Sequence, residues 1–219
     1  MENVDVFFSF RSPYSYLVTP ELLTLQRDFD VEVDLRVVLP VAVRSPDTLF
    51  NAENAKRVEY ILLDWQRRAE FLGLPHAWPS PDPIVQDLKT LKIAEDQPYI
   101  YRLCSLGVEA QRRGRGIQFA AEVMGMIWGG TKDWHEGEHL SEAVARVGLD
   151  LAAMEQAIEG GDHLEEIEQN QQKLAEANHW GVPTMVFEGE PFFGQDRMDT
   201  LCWRLDQHGL RKSSNLNEN

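Results

Sequence analysis

Residues 4–10 read VDVFFSF and run directly into Arg11-Ser12-Pro13-Tyr14, and this junction decides the fold. An apolar, aromatic run broken only by Asp5 and Ser9 has the character of a largely buried strand. Pro13 stands where a helix begins, since its missing N–H costs nothing at a first helical position. Ser12 before it is a residue type that caps a first turn with its side-chain oxygen. The following segment, YSYLVTPELLTLQRDF, places Tyr16, Leu17, Leu22, Leu23 and Leu25 with helical recurrence, and Pro20 is expected to kink the helix or mark a second start. Residues 31–39, VEVDLRVVL, alternate apolar and polar before turning wholly apolar, so the stretch up to Pro40 spells strand, helix, strand.

From Pro40 the pattern is helical, with little strand signal until about residue 180. Val58, Ile61, Leu62, Trp65, Ala69 and Leu72 keep one face of a helix, and further helices are predicted over 97–113, 115–128 and 139–147. Asp150 and Gly160 bracket another as cap and stop, and Asp162 opens one that runs to about Asn178. TMVFEG and EPFFG then read as two short strands joined by a Glu188-Gly189 turn, with a helix from Arg197 to about His208. The two ends form one sheet only if residues 1–40 and about 163–208 pack together. The polar tail from 209 to 219 reads as disordered.

The chain of 219 residues exceeds the usual single domain, so one large domain or a small domain carrying an insertion is expected. Hydrophobic residues at 43% supply a sizeable core, while 36 acidic against 21 basic residues give a formal charge of −15. Such a charge repels phosphate backbones and anionic membranes, which argues against nucleic acid or a membrane as partner. Cys104 and Cys202 form neither a C-x-x-C motif nor a metal-ligand spacing. His76, His135, His139, His163, His179 and His208 show no tight metal spacing either, so no metal is expected. The N-terminal MENVDVFFSF has acids where a signal peptide carries bases, which reads as a cytoplasmic protein.

With FSFRSPYSYL near one end and HWGVPTMVFEGEPFFGQDRMDTLCWRL near the other, the chain resembles the 2-hydroxychromene-2-carboxylate isomerases. These belong, with kappa-class glutathione transferases, to the DsbA-like branch of the thioredoxin superfamily. The resemblance spans nearly the whole chain, and three motifs occur in order: the S-P-Y-S-Y turn, the G-V-P-T strand entry and the F-G-Q-D-R helix entry. Arg57, Tyr60, Asp64 and Arg67 are similar to a family pattern on one helix. There the family usually has Lys at the first position, so either Arg57 or Lys56 takes it. The segment SPDTLFNAENAKR (45–57) departs from the family's Gly-Asn and following prolines.

The resemblance implies an α/β thioredoxin-like fold with a large all-helical insertion domain. Residues 1–40 with 163–208 would form a discontinuous thioredoxin-like domain, and 41–162 the insertion. It implies glutathione as cofactor, a small conjugated or aromatic substrate and a homodimer. The implied activity is glutathione-dependent cis-trans isomerisation of an aromatic or conjugated α-keto acid, with a kappa-like glutathione transferase as the alternative. A thiol-disulfide oxidoreductase or a non-catalytic glutathione-binding protein stands further back.

Ser12 at a helix start offers a hydroxyl beside unsatisfied N–H groups and the positive end of a helix dipole, the surroundings that stabilise a thiolate. Disulfide oxidoreductases of the superfamily carry cysteine in this turn, so Ser12 suits activation of a ligand's thiol. The same residue is also simply a good N-cap. By resemblance, Val182-Pro183 is a cis-proline element that presents the Val182 main chain to the glutathione peptide. Gln195, Asp196 and Arg197 would bind the ligand's amino-acid end, although Asp196 reads locally as an N-cap. Arg11, Tyr14 and Arg57 are candidates for substrate binding, and Trp128 resembles a family tryptophan near the hydrophobic substrate pocket. Cys104 and Cys202 read as buried thiols.

Overall fold

The computed structural model describes residues 2–45, 55–87 and 92–213. Residues 46–54, where the sequence departs from the family pattern, lie outside the described residues, as do 214–219.

Strand β1 (Glu2–Phe8) pairs in parallel with β2 (Val31–Val37) through the crossover helix α1 (Pro13–Asp28). On its other edge β1 pairs antiparallel with β3 (Thr184–Phe187), which forms a hairpin with β4 (Glu190–Phe193). The sheet order is therefore β2-β1-β3-β4, an α/β thioredoxin-like arrangement in which the central strand pair joins the two ends of the chain. The alternation in β2 is explained by burial: Val31, Val33, Leu35 and Val37 are buried, whereas Glu32 is exposed. The free edge of β2 is covered by Gln111, whose side-chain carbonyl accepts from Leu35 N–H at 3.0 Å while its amide donates to Asp34 at 2.7 Å.

The helices of the middle segment are α2 (Val41–Arg44), α3 (Ala55–Leu72), α4 (Ile100–Arg112), α5 (Gly116–Trp128), α6 (His139–Arg146) and α7 (Leu151–Ile158). They are followed by α8 (His163–Glu176) and, after the hairpin, α9 (Met198–Gln207). The predicted 97–113 helix starts later, at Ile100. The stretch 73–99, read from sequence as part of a helical block, is largely an irregular connection in its described residues. Among the described residues no helix is long and apolar enough to cross a membrane.

Helix α1 continues through Pro20 instead of breaking there. A proline at this point deprives the Tyr16 carbonyl of its helical donor. The Thr19 hydroxyl donates to that carbonyl at 2.8 Å and fills the gap. Gly107 lets α4 approach the end of β1 closely, for a Cβ there would lie 2.6 Å from the Phe10 ring. The hairpin turn places Glu188 and Gly189 at φ 48° and 80°, as a two-residue primed turn requires. Past Gly209, where the sequence reads as a tail, Leu210 accepts from Asp30 N–H at 2.8 Å and Lys212 N–H donates to Asp28 at 2.9 Å. Arg211 adds a guanidinium over the Phe29 ring, so residues 210–212 are fastened to the end of α1.

Candidate active site

The turn between β1 and α1 is fixed by its own main chain. Ser12 N–H donates to Ser9 at 3.1 Å, the Ser12 carbonyl accepts from Tyr16 N–H at 3.2 Å, and the Ser12 side-chain oxygen accepts from Ser15 N–H at 3.2 Å. Ser12 is thus the N-cap of α1, and because a hydroxyl that accepts still carries one proton to donate, the cap leaves Ser12 a donor on the cavity wall. Capping and ligand donation are compatible roles for one hydroxyl.

The Val182-Pro183 peptide bond is cis. Before it, Gly181 is pinned by two bonds: its N–H donates to Nδ1 of His179 at 3.0 Å, and its carbonyl accepts from the Thr184 hydroxyl at 2.8 Å. Burial holds the His179 ring below its usual pKa, which keeps it neutral and able to accept. Gly181 is needed for space, since a Cβ there would sit 2.4 Å from the Phe193 ring. Among the described residues neither the N–H nor the carbonyl of Val182 pairs with another main-chain group. The Pro183 carbonyl accepts from Gly194 N–H at 2.9 Å and ties this element to the start of the last helix.

A cavity of about 460 Å³ joins the turn to the cis element, with Ser12, Tyr14, Val182 and Gly181 on its walls. Arg11, Arg44 and Arg57 also line it, as do the rings of Trp78, Trp180 and Phe193. Among the described residues no carboxylate lines it, which makes the cavity locally cationic in a protein of formal charge −15. A larger, more open hollow of about 550 Å³ borders α1 at Tyr16, Thr19 and Leu23, but it holds neither the Ser12 turn nor Val182.

Each cation is fastened differently. Arg11 makes a two-pronged pair with Asp82, Nε to Oδ1 at 3.2 Å and Nη2 to Oδ2 at 3.0 Å, and its guanidinium lies 5.0 Å from the centre of the Trp78 ring. Arg44 donates to the main-chain carbonyls of Leu39 and Trp180. Arg57 lies over the Trp180 ring at 4.7 Å, whereas its neighbour Lys56 is exposed and does not line the cavity. Tyr14 donates to Asp64 Oδ2 at 2.8 Å, and Arg67 donates to the opposite oxygen at 2.6 Å. Burial and the Asp64 carboxylate push the Tyr14 phenol well above its usual value, so it stays protonated. Burial acts to raise the Asp64 carboxyl, yet the hydrogen bonds from Tyr14 and Arg67 outweigh it and hold Asp64 below the usual range.

The remaining sequence candidates do not line the cavity. Trp128 is fully buried; its indole N–H donates to the Phe10 carbonyl at 3.3 Å and its ring packs edge-on against Trp78, 5.5 Å between centres. Core packing explains it, and the tryptophans that reach the cavity are Trp78 and Trp180. Gln195 is buried and accepts from Arg68 Nε at 3.0 Å. Asp196 caps no helix: it lies within a 3-10 turn, Gln195–Arg197, that leads into α9, and it pairs with Arg197 at 2.8 Å. Trp78, Asp82, Arg44, Trp180 and Phe193 carry no local sequence signal that distinguishes them from surface or core positions.

Residues 3–206 match the family described as the DSBA-like thioredoxin domain. The chain belongs to this family. Within it, the chain is 27% identical to the 2-hydroxychromene-2-carboxylate isomerase of Pseudomonas putida over 210 residues, 90% of this chain and 91% of that protein. The fold of this DSBA-like chain is shared with a solved 2-hydroxychromene-2-carboxylate isomerase, TM-score 0.70 at 21% identity, covering 94% and 96% of the two chains. It is also shared with the cytosolic disulfide reductase DsbM from Pseudomonas aeruginosa, solved with GSH, TM-score 0.60 at 15% identity and 93% and 99% coverage. The DSBA-like chain has no cysteine in its β1–α1 turn. Cys104 is buried and its thiol pushed up by that burial, and burial likewise raises Cys202 to about 11, so both are poor thiolates at neutral pH.

Proposed function

We propose that this protein is a glutathione-dependent cis-trans isomerase of an aromatic or conjugated α-keto acid, of the 2-hydroxychromene-2-carboxylate isomerase kind. The observation that carries the reading is a hydroxyl, Ser12, where a redox enzyme needs a thiol, opening onto a cationic, aromatic-walled cavity that also holds the Val182 main chain. The full-length relatives named as isomerases support the class of reaction, and the neighbour solved with GSH supports the ligand. The division into a thioredoxin-like unit (1–40 and 163–208) and an insertion (41–162) belongs to the same proposal. So do the cytoplasmic location and the homodimer, the latter on the resemblance alone.

The residues fit glutathione. Among the described residues the N–H and carbonyl of Val182 have no main-chain partner and would offer a short strand-like pairing to a peptide, and the Ser12 hydroxyl, on the wall of the same cavity, would have a proton to donate to its sulfur. When bound, glutathione supplies a thiolate that adds reversibly to a conjugated double bond and makes it single for as long as rotation takes. The Ser12 hydroxyl donates a hydrogen bond to the sulfur, and the first turn of α1 adds its dipole. Arg44 and Arg57 attract the substrate carboxylate, while Trp78, Trp180 and Phe193 exclude water and hold a flat conjugated body. Arg197 and Asp196 already pair with each other and would exchange that pairing for the charged ends of the ligand.

The decisive experiment incubates the protein with glutathione and a conjugated α-keto acid and follows both compounds by chromatography. A changed double-bond geometry with glutathione conserved is the expected result. Accumulation of a stable conjugate would instead identify a kappa-like transferase, and no change in either compound would sink both readings.

A further inference from the structure

Arg11 and Asp82 take no part in the chemistry above, yet they form a largely buried pair at the Ser12 turn, with side chains 13% and 18% exposed. The two residues differ in what they face. Arg11 lines the cavity one position before Ser12, whereas its partner Asp82 does not line it. Asp82 is itself held in place, accepting from Ile84 N–H at 3.1 Å, and the preceding Pro81 carbonyl accepts from the Trp134 indole at 2.8 Å. Of the three cavity cations, Arg44 is bonded to neutral carbonyls and Arg57 is stacked on a ring. Among the described residues, Arg11 is the one with a carboxylate at hydrogen-bond distance. The cation nearest in the chain to the proposed thiol site is thus the one the fold buffers, using a residue 71 positions away.

We propose that Asp82 is a positioning residue that sets the electrostatic potential at the Ser12 hydroxyl, by fixing the Arg11 guanidinium at the cavity wall and offsetting most of its charge. Its functional meaning rests on the reading of Ser12 as the thiol site; the electrostatic claim rests on the pair itself. A reversible addition requires a sulfur that attacks and also leaves. An unbuffered guanidinium would hold the anion tightly and blunt its nucleophilicity, because thiolates of lower pKa attack less readily. An unpaired Asp82 carboxylate would do the reverse and favour the protonated thiol. The pair keeps the site between these limits. Among the described residues, the other titratable groups at the cavity are Arg44 and Arg57 on its lining, Tyr14 bonded to Asp64, and His179 bonded to Gly181 N–H.

The test places a reporter at the turn itself. In a Ser12→Cys variant the introduced thiol is titrated by its ultraviolet thiolate absorbance and by the pH dependence of iodoacetamide alkylation. The titration is then repeated with Asp82→Asn, with Arg11→Gln and with both. Asp82→Asn should lower the thiol pKa and Arg11→Gln raise it, each by about one unit, and the double variant should return close to the parent. Shifts of the same sign, or none in either variant, would overturn the proposal. Should either variant lose cooperative unfolding, Arg11→Lys decides: the charge is kept, so the thiol pKa should stay at the parent value, and a rise of one unit would count against the pair. Calorimetry of glutathione with the unmodified protein tests the thiol-site reading separately. No binding there, with opposite shifts intact, would remove that reading and leave the role of the pair standing.

Discussion

Ser12 and Val182 are placed largely by bonds of the main chain: Ser12 N–H to Ser9, Tyr16 N–H to Ser12, and Gly194 N–H to Pro183 next to Val182, with the His179 and Thr184 side chains adding their hold on Gly181. Arg11, Arg57 and Tyr14, which line the same cavity, are set by side-chain partners: a carboxylate 71 positions away, a tryptophan ring, a carboxylate 50 positions away. Main-chain geometry changes little with substitution, so the first group keeps its place when most side chains are cut back. The second group has no such support, and removing one partner releases another. The first is therefore suited to the invariant part of a reaction, and the second to discrimination among substrates.

This contrast can be broken most directly at Ser12. Ser12→Ala should reduce turnover by about 10²–10³, the cost of losing one aimed donor, while costing ~1 kcal/mol of stability through the lost cap. Turnover and a urea midpoint measured on the same sample check both; normal turnover would remove the hydroxyl from the chemistry. In the second group, Arg57→Ala should raise KM for an anionic substrate about tenfold, corresponding to about 1.4 kcal/mol, with kcat nearly unchanged. A fall in kcat at constant KM would show instead that Arg57 also acts in the transition state.

The smallest effect concerns acid stability. A depressed carboxyl such as Asp64 gives stability that is full above its unfolded pKa of about 3.9 and is lost as pH falls through the lower folded value. Tyr14→Phe removes one of the hydrogen bonds that lower it. The variant should be slightly less stable at neutral pH and should lose less on acidification, so that its urea midpoints converge with the parent's at about pH 2. Parallel curves would mean that Tyr14 does not govern Asp64.

What the sequence made legible follows the same division. Strand β1, the Ser12 cap, helix α1 and the Glu188-Gly189 hairpin depend on neighbours a few residues apart, and their reading needs only local rules. The family motifs added the cis element, which no local rule predicts. Trp128 shows the limit, because a tryptophan on an apolar helix face looks the same whether it lines a cavity or, as here, lies fully buried behind Trp78. Asp196 shows another: a 3-10 turn precedes α9, so the residue that reads as its cap sits inside the turn. Asp82 gives no sign of itself, because it lies in a stretch with no periodicity to read and its partner is 71 positions upstream.

The pairing of β1 with β3, Val4 opposite Phe187 and Phe7 opposite Thr184, has a consequence for how the protein is made. During synthesis the first strand leaves the ribosome with one neighbour available early, β2, while its other edge waits for residues 184–187. A contact of such long range is slow to form, and an unpaired central edge is a template for association with other chains. The cavity that depends on both ends of the chain is accordingly among the last features to assemble, and a nascent or truncated chain lacking β3 should be sticky before it is ever active.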